Sequence, residues 1–181
     1  IAVFEMAGAK ADRVHVNKLV NGELNLENYD IMAIPGGFSF GDHLGSGRLM
    51  GNRLRFGLRE QVRNFVKSGK PVIGICNGFQ VLVKMGLLPG DNDVSLTQTA
   101  SLALNDSGNY ENRWTTLEFD SKSHCIWTKG MTRIRVPVRH GEGKFVTTDK
   151  KLLDDWSEAG QLVVKYVDPS SRYPSPGDKV L

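Results

Sequence analysis

A chain of 181 residues with 40% hydrophobic side chains is long enough for one domain with a real core. Charged residues make up 24% of it and the net charge is +3, with no run of five like charges, so nothing marks a nucleic-acid-binding arm. No apolar stretch approaches the roughly eighteen residues of a membrane span. Residues 1–9 contain Glu5 and lack the basic lead-in of a signal peptide. The two cysteines, Cys76 and Cys125, form neither a disulfide framework nor a zinc pattern. A cytoplasmic protein with reduced thiols is expected, without a nucleic-acid or membrane partner.

Residues 2–9 read as a short helix, and residues 12–19 as a strand in which Val14 and Val16 alternate with polar neighbours. Residues 29–34 are a compact apolar run that stops at Pro35-Gly36-Gly37, the pattern of a buried strand feeding a glycine loop. Residues 38–51 hold four more glycines and read as one long loop. Leu58, Val62, Phe65 and Val66 then form one face of an amphipathic helix that ends at Gly69. Residues 71–75 read as a second buried strand, and residues 79–85 as a buried helix closed by Gly86. Beyond them, residues 95–104, 113–119, 133–138 and 161–167 read as strands, residues 152–156 as a short helix and residues 170–178 as a loop. Strand, loop, helix, strand, sharp turn, helix indicates a parallel α/β layer, here extended by an antiparallel section.

The sharp turn is Gly74-Ile75-Cys76-Asn77-Gly78, between a buried strand and an apolar helix. Small residues two before and two after a nucleophile allow the strained strand-to-helix turn that exposes it. At such a position the N–H groups and dipole of the helix stabilise the negative charge of an attacking thiolate. Cys76 could instead be a small buried hydrophobe, but the symmetric glycines favour a nucleophile. The turn alone also admits other cysteine hydrolases with the same elbow.

Gly74 to Gln80, read as Gly-Ile-Cys-Asn-Gly-Phe-Gln, resembles the nucleophile motif of class I glutamine amidotransferases. Asn77 directly after the cysteine is the form typical of the phosphoribosylformylglycinamidine synthase branch. Residues 35–42, Pro-Gly-Gly-Phe-Ser-Phe-Gly-Asp, are similar to that branch's oxyanion loop. His140-Gly141-Glu142-Gly143 resembles another of its signatures, and Tyr110-Glu111-Asn112-Arg113-Trp114 loosely matches a segment between them.

The resemblance implies a flavodoxin-like, open, mostly parallel sheet flanked by helices, with an antiparallel extension. It implies a glutaminase in which Cys76 forms a glutamyl thioester and the backbone N–H groups of Gly37 and Asn77 hold the oxyanion. Gly36 lets the backbone approach the substrate, and Gln80 hydrogen-bonds it. Glutamine is the implied substrate, and ammonia passes to a synthetase subunit or a fused synthetase domain that makes phosphoribosylformylglycinamidine in purine biosynthesis. No cofactor is implied in this domain; ATP and magnesium belong to the synthetase.

The family opens with a strand ahead of the helix at residues 2–9, and takes its base and orienting acid from a Pro-His-Pro-Glu-like motif. Neither occurs in residues 1–181, so a single amidotransferase domain lacking its first strand and its His/Glu segment is expected. His140 and Glu142, two apart on one strand, would share a face and point side by side, which is poor geometry for a base and its orienting acid.

His43 reads as an exposed loop histidine, His15 as lying on a polar strand face, and His124 and Cys125 as lying on opposite strand faces. Arg48, Arg53, Arg55 and Arg59 read as a solvated basic face. The glycine loop is not followed by Gly-Lys-Ser/Thr or by a helix pattern, so a nucleotide site is not expected. Two alternatives to a glutaminase stand: another elbow-cysteine hydrolase of the same fold, and a non-catalytic scaffold.

Overall fold

The structure is a computed structural model that describes residues 1–42 and 44–168. The expected loop at residues 170–178 and the assignment of His43 lie outside the described residues.

The chain opens with α1 (Ala2–Met6), then α2 (Val16–Val20), where the alternation of Val14 and Val16 had suggested a strand. His15 decides the matter: its ring accepts the Asn17 N–H and caps the helix, so it is not on a strand face. Val16, Leu19 and Val20 then fall at helical spacing and pack into the core. Strand β1 (Met32–Ile34) is the C-terminal half of the expected apolar run.

The region expected as one long loop divides in two. Residues 39–42 form a tight turn with left-handed Phe40 (φ 57°) and Gly41 (φ 75°), and α3 (Arg48–Gly57) follows with Gly47 as its left-handed N-cap. The glycines that suggested a loop serve helix packing instead. A Cβ at residue 47 would lie 2.7 Å from Val81 N, and one at residue 51 would lie 3.2 Å from Val81 O. Of the four arginines expected as a solvated face, Arg53 donates to Asn17 Oδ1 at 2.5 Å and Arg59 donates to Ser95 O at 2.6 Å, so two of them tie segments together.

Helix α4 (Arg59–Lys67) buries Val62 and Phe65, as its apolar face predicts. Strand β2 (Val72–Gly74) pairs in parallel with β1, Met32 opposite Val72 and Ile34 opposite Gly74. Helix α5 (Asn77–Lys84) is buried at Val81, Leu82 and Val83, hence on several faces, which explains its nearly continuous apolar sequence. The main core gathers Leu54, Leu58, Val62, Phe65, Val81, Leu82 and Met85 between these helices and the two strands.

The second half is antiparallel. Strand β3 (Ala100–Leu104) starts later than its sequence suggested, because Val94 and Leu96 adopt positive φ and the Asp91 carboxylate gathers the N–H groups of Asp93 and Ser95 into a turn. Strand β4 (Glu111–Phe119) pairs with β5 (Arg133–His140). Between them, Cys125 precedes a single 3-10 turn, not a strand, and the Trp127 indole donates to Val72 O at 2.9 Å.

Strand β6 (Glu142–Thr147), absent from the strands expected from sequence, pairs with β3. Helix α6 (Lys150–Glu158) covers that pair through Trp156 against Phe145, and β7 (Val164–Val167) completes the order β5-β4-β7. Over the described residues only β1 and β2 are parallel; the other two sheets are antiparallel, so the expected mostly parallel sheet is reduced to that pair.

Candidate active site

The end of β1 and the end of β2 lie side by side, and both chain segments turn away from the sheet there. Ile75 N–H donates to Ile34 O at 3.0 Å, which locks the two turns together. One turn is the glycine loop and the other is the cysteine turn. Cys76 has φ 55° and ψ −114°, a conformation that L residues rarely adopt. It is the N-cap of α5, and its thiol is exposed.

The flanking glycines have a steric cause. A Cβ at residue 78 would sit 2.0 Å from Ile34 O, and one at residue 74 would sit 2.6 Å from Gly78 O. Only hydrogen fits where α5 starts across the strand ends. Gly36 closes the other side: a Cβ there would stand 3.2 Å from Cys76 Cβ and 3.8 Å from its Sγ, so the loop backbone rests on the cysteine. Gly37 takes φ 138° with open space around it. The structure thus brings Gly36, Cys76 and Asn77 together and carries Gly37 alongside.

Asn77 is 1% exposed. Its Oδ1 accepts the Ser39 N–H at 3.1 Å and also the Ser39 hydroxyl. Its Nδ2 donates to Gln80 Oε1 at 3.0 Å, and Gln80 Nε2 donates to Glu142 O at 2.9 Å. Gln80 therefore spends its side-chain amide linking α5 to β6. Ser39 had no individual role in the sequence, and Glu142 was weighed only as an orienting acid for His140, although both lie inside the quoted motifs. Glu142 Oε2 also accepts the Ser46 N–H at 3.1 Å.

His140 turns elsewhere. β5 ends at His140 in one sheet and β6 begins at Glu142 in another, with Gly141 between them, so the two side chains do not share a strand face as the alternation implied. His140 Nδ1 lies 3.0 Å from Asn105 Oδ1, and Nε2 lies 3.1 Å from Tyr166 Oη. The Asn105 amide nitrogen already donates to His140 O and Asn109 O, so its Oδ1 accepts from Nδ1–H, and the Tyr166 hydroxyl donates to Nε2. Burial holds this imidazole below its ordinary pKa, with Glu111 opposing and Arg113 assisting. The ring lines a polar cleft with Asn105, Glu111, Arg113 and Tyr166, and no elbow residue lines that cleft. A Cβ at Gly143 would overlap the ring, at 2.1 Å from Cε1.

A cysteine on a strained strand-to-helix turn, beneath a glycine loop in an α/β domain, defines the class of elbow-nucleophile proteins. The profile of the CobB/CobQ-like glutamine amidotransferase domain matches residues 1–176, and the chain belongs to that family. It is 47% identical over 172 residues to the phosphoribosylformylglycinamidine synthase subunit PurQ of Treponema denticola, a match that covers 90% of the chain and 63% of that subunit. It is 42% identical over 173 residues to the subunit of the same name from Dehalococcoides mccartyi, covering 96% and 65%. Among solved structures it is similar to PurLQS from Thermotoga maritima, with a TM-score of 0.57 and 28% identity over 81% of the chain and 59% of that one. The chain thus spans a little under two thirds of the length of the curated relatives it matches. Among the described residues, no helix is long and apolar enough to cross a membrane.

Proposed function

We propose that residues 1–181 form one glutamine amidotransferase domain, flavodoxin-like in its strand–loop–helix order, in which Cys76 hydrolyses glutamine for a synthetase. The observation that carries this reading is the packing of Gly36 on Cys76, with the cysteine held at positive φ at the start of α5. The thiolate attacks the carboxamide carbon, and the carbonyl oxygen becomes an oxyanion held by the N–H groups of Gly37 and Asn77. Each such donor is commonly worth about 3–4 kcal/mol of transition-state stabilisation. As the intermediate collapses, the amide nitrogen takes up the proton the thiol gave up and departs as ammonia, which leaves a glutamyl thioester. Water then releases glutamate and restores the thiol, so that glutamine and water become glutamate and ammonia.

The base belongs, on this reading, to the Pro-His-Pro-Glu-like segment of the family, which residues 1–181 do not contain. His140 is not that base, since both of its ring nitrogens are engaged away from the thiol. Gln80 contributes by holding Asn77 at the elbow.

The partner is a synthetase that uses ATP and magnesium to convert phosphoribosylformylglycinamide and ammonia into phosphoribosylformylglycinamidine, in the cytoplasm. The names of the relatives support phosphoribosylformylglycinamidine synthase as the enzyme served; neither an unrelated elbow hydrolase nor a scaffold is favoured by them. In the complete enzyme, Cys76→Ala abolishes glutamine-dependent synthesis and spares synthesis from ammonia. Glutamine use near the normal rate in that variant contradicts the reading.

A further inference from the structure

Gly41 and Gly45, between Ser39 and Ser46, both take positive φ. Ser39 and Ser46 are each linked to Asn77, the residue after Cys76, the first directly and the second through Glu142 and Gln80. At one end, Ser39 donates to Asn77 Oδ1 through its N–H and its hydroxyl. At the other, Ser46 N–H donates to the Glu142 carboxylate at 3.1 Å, across 96 positions of sequence. The main-chain oxygen of the same Glu142 accepts Gln80 Nε2, and Gln80 Oε1 accepts Asn77 Nδ2. The ring Ser39–Asn77–Gln80–Glu142–Ser46 therefore closes through the elbow.

Glu142 is itself held before its side chain reaches out. It pairs with Leu104 at a register shift in β3–β6, and Asn105 N–H donates to Gly141 O at 2.9 Å. Gly143 leaves room for the His140 ring, which Asn105 and Tyr166 fix beneath the turn.

We propose that Glu142 is a positioning residue that clasps the glycine loop through Ser46 and so keeps Gly36 and Gly37 seated over Cys76. The inference rests on the reading of Cys76 as a glutaminase nucleophile. A carboxylate that holds a loop N–H acts on the geometry of the transition state rather than on substrate affinity, so its loss lowers kcat more than it raises KM.

The test uses the full-length enzyme with its synthetase partner, as wild type, Glu142→Ala and Glu142→Gln. Glu142→Ala lowers kcat for glutamine by roughly tenfold or more, the scale of losing a charge-assisted hydrogen bond that orders a catalytic loop. KM stays within about twofold and ammonia-dependent synthesis is unchanged. Glu142→Gln keeps a carbonyl acceptor at the same reach and recovers to within about threefold of wild type. Hydrogen exchange at the Ser46 amide accelerates in Glu142→Ala and not in Glu142→Gln. A wild-type kcat in Glu142→Ala, a pure KM effect, or a Glu142→Gln enzyme as impaired as Glu142→Ala overturns the proposal. Absence of Cys76-dependent glutamine hydrolysis in the wild type would instead defeat the parent reading. The Ser46 exchange then decides the clasp alone, acceleration in Glu142→Ala supporting it and unchanged exchange overturning it.

Discussion

The parallel region and the antiparallel region solve different problems. Around β1, β2 and α5 the site is built from backbone: Gly74 and Gly78 are empty volumes that let the elbow form, and Gly36 is a bare surface laid on Cys76. Around β3 to β7 the structure is built from side chains: His140 with Asn105 and Tyr166, Glu111 with Ser107 and Arg113, and Lys144 with Asp106. Close backbone approach tolerates no added atom, whereas a polar network can lose a member and relax. One region should fail by steric exclusion and the other by loss of individual hydrogen bonds.

The largest effect is expected where the backbone is closest. Gly78→Ala places a methyl group 2.0 Å from Ile34 O and forces α5 off the strand ends. It should cost about 3 kcal/mol or more, the scale of overpacking and strain in a filled core. Chemical denaturation measures this, and a change below about 0.5 kcal/mol, the range of a neutral surface substitution, would break the comparison.

A smaller effect, and one tied to pH, is expected in the second region. Burial depresses the His140 pKa in the folded protein, with Glu111 raising and Arg113 lowering it. As pH falls through about 6.5 the unfolded chain takes the proton first, so stability drops below that pH and is flat above it. Replacing the ring, as in His140→Gln, should shrink the difference between urea midpoints at pH 7.5 and pH 5. An unchanged difference would mean that the ring does not titrate as its surroundings dictate.

The same contrast explains what the sequence disclosed. The elbow and its loop were legible because steric exclusion writes glycine at fixed offsets from Cys76, and few other side chains satisfy it. Helix α4 was legible from Leu58, Val62, Phe65 and Val66. Helix α3 was not, because Gly47 and Gly51 carry the mark of a loop while serving close contact with α5. Strand β6 was hidden by Gly141 and Gly143, of which the second makes room for a histidine ring and does not turn the chain. The two-residue alternation of Val14 and Val16 was too short to outweigh a histidine cap. Gln80, Glu142 and Ser39 could be found as motif members, but the ring they close depends on contacts between distant segments, which no local spacing records.

The central claim is that the exposed thiol under the glycine loop, and not the other cysteine, meets glutamine. An electrophilic glutamine analogue, incubated with the complete enzyme and traced by peptide mass spectrometry, tests it directly. The account predicts one adduct, on Cys76, with glutamine-dependent synthesis lost in step and ammonia-dependent synthesis retained. An adduct on Cys125, or inactivation of glutamine use with Cys76 unmodified, would contradict it.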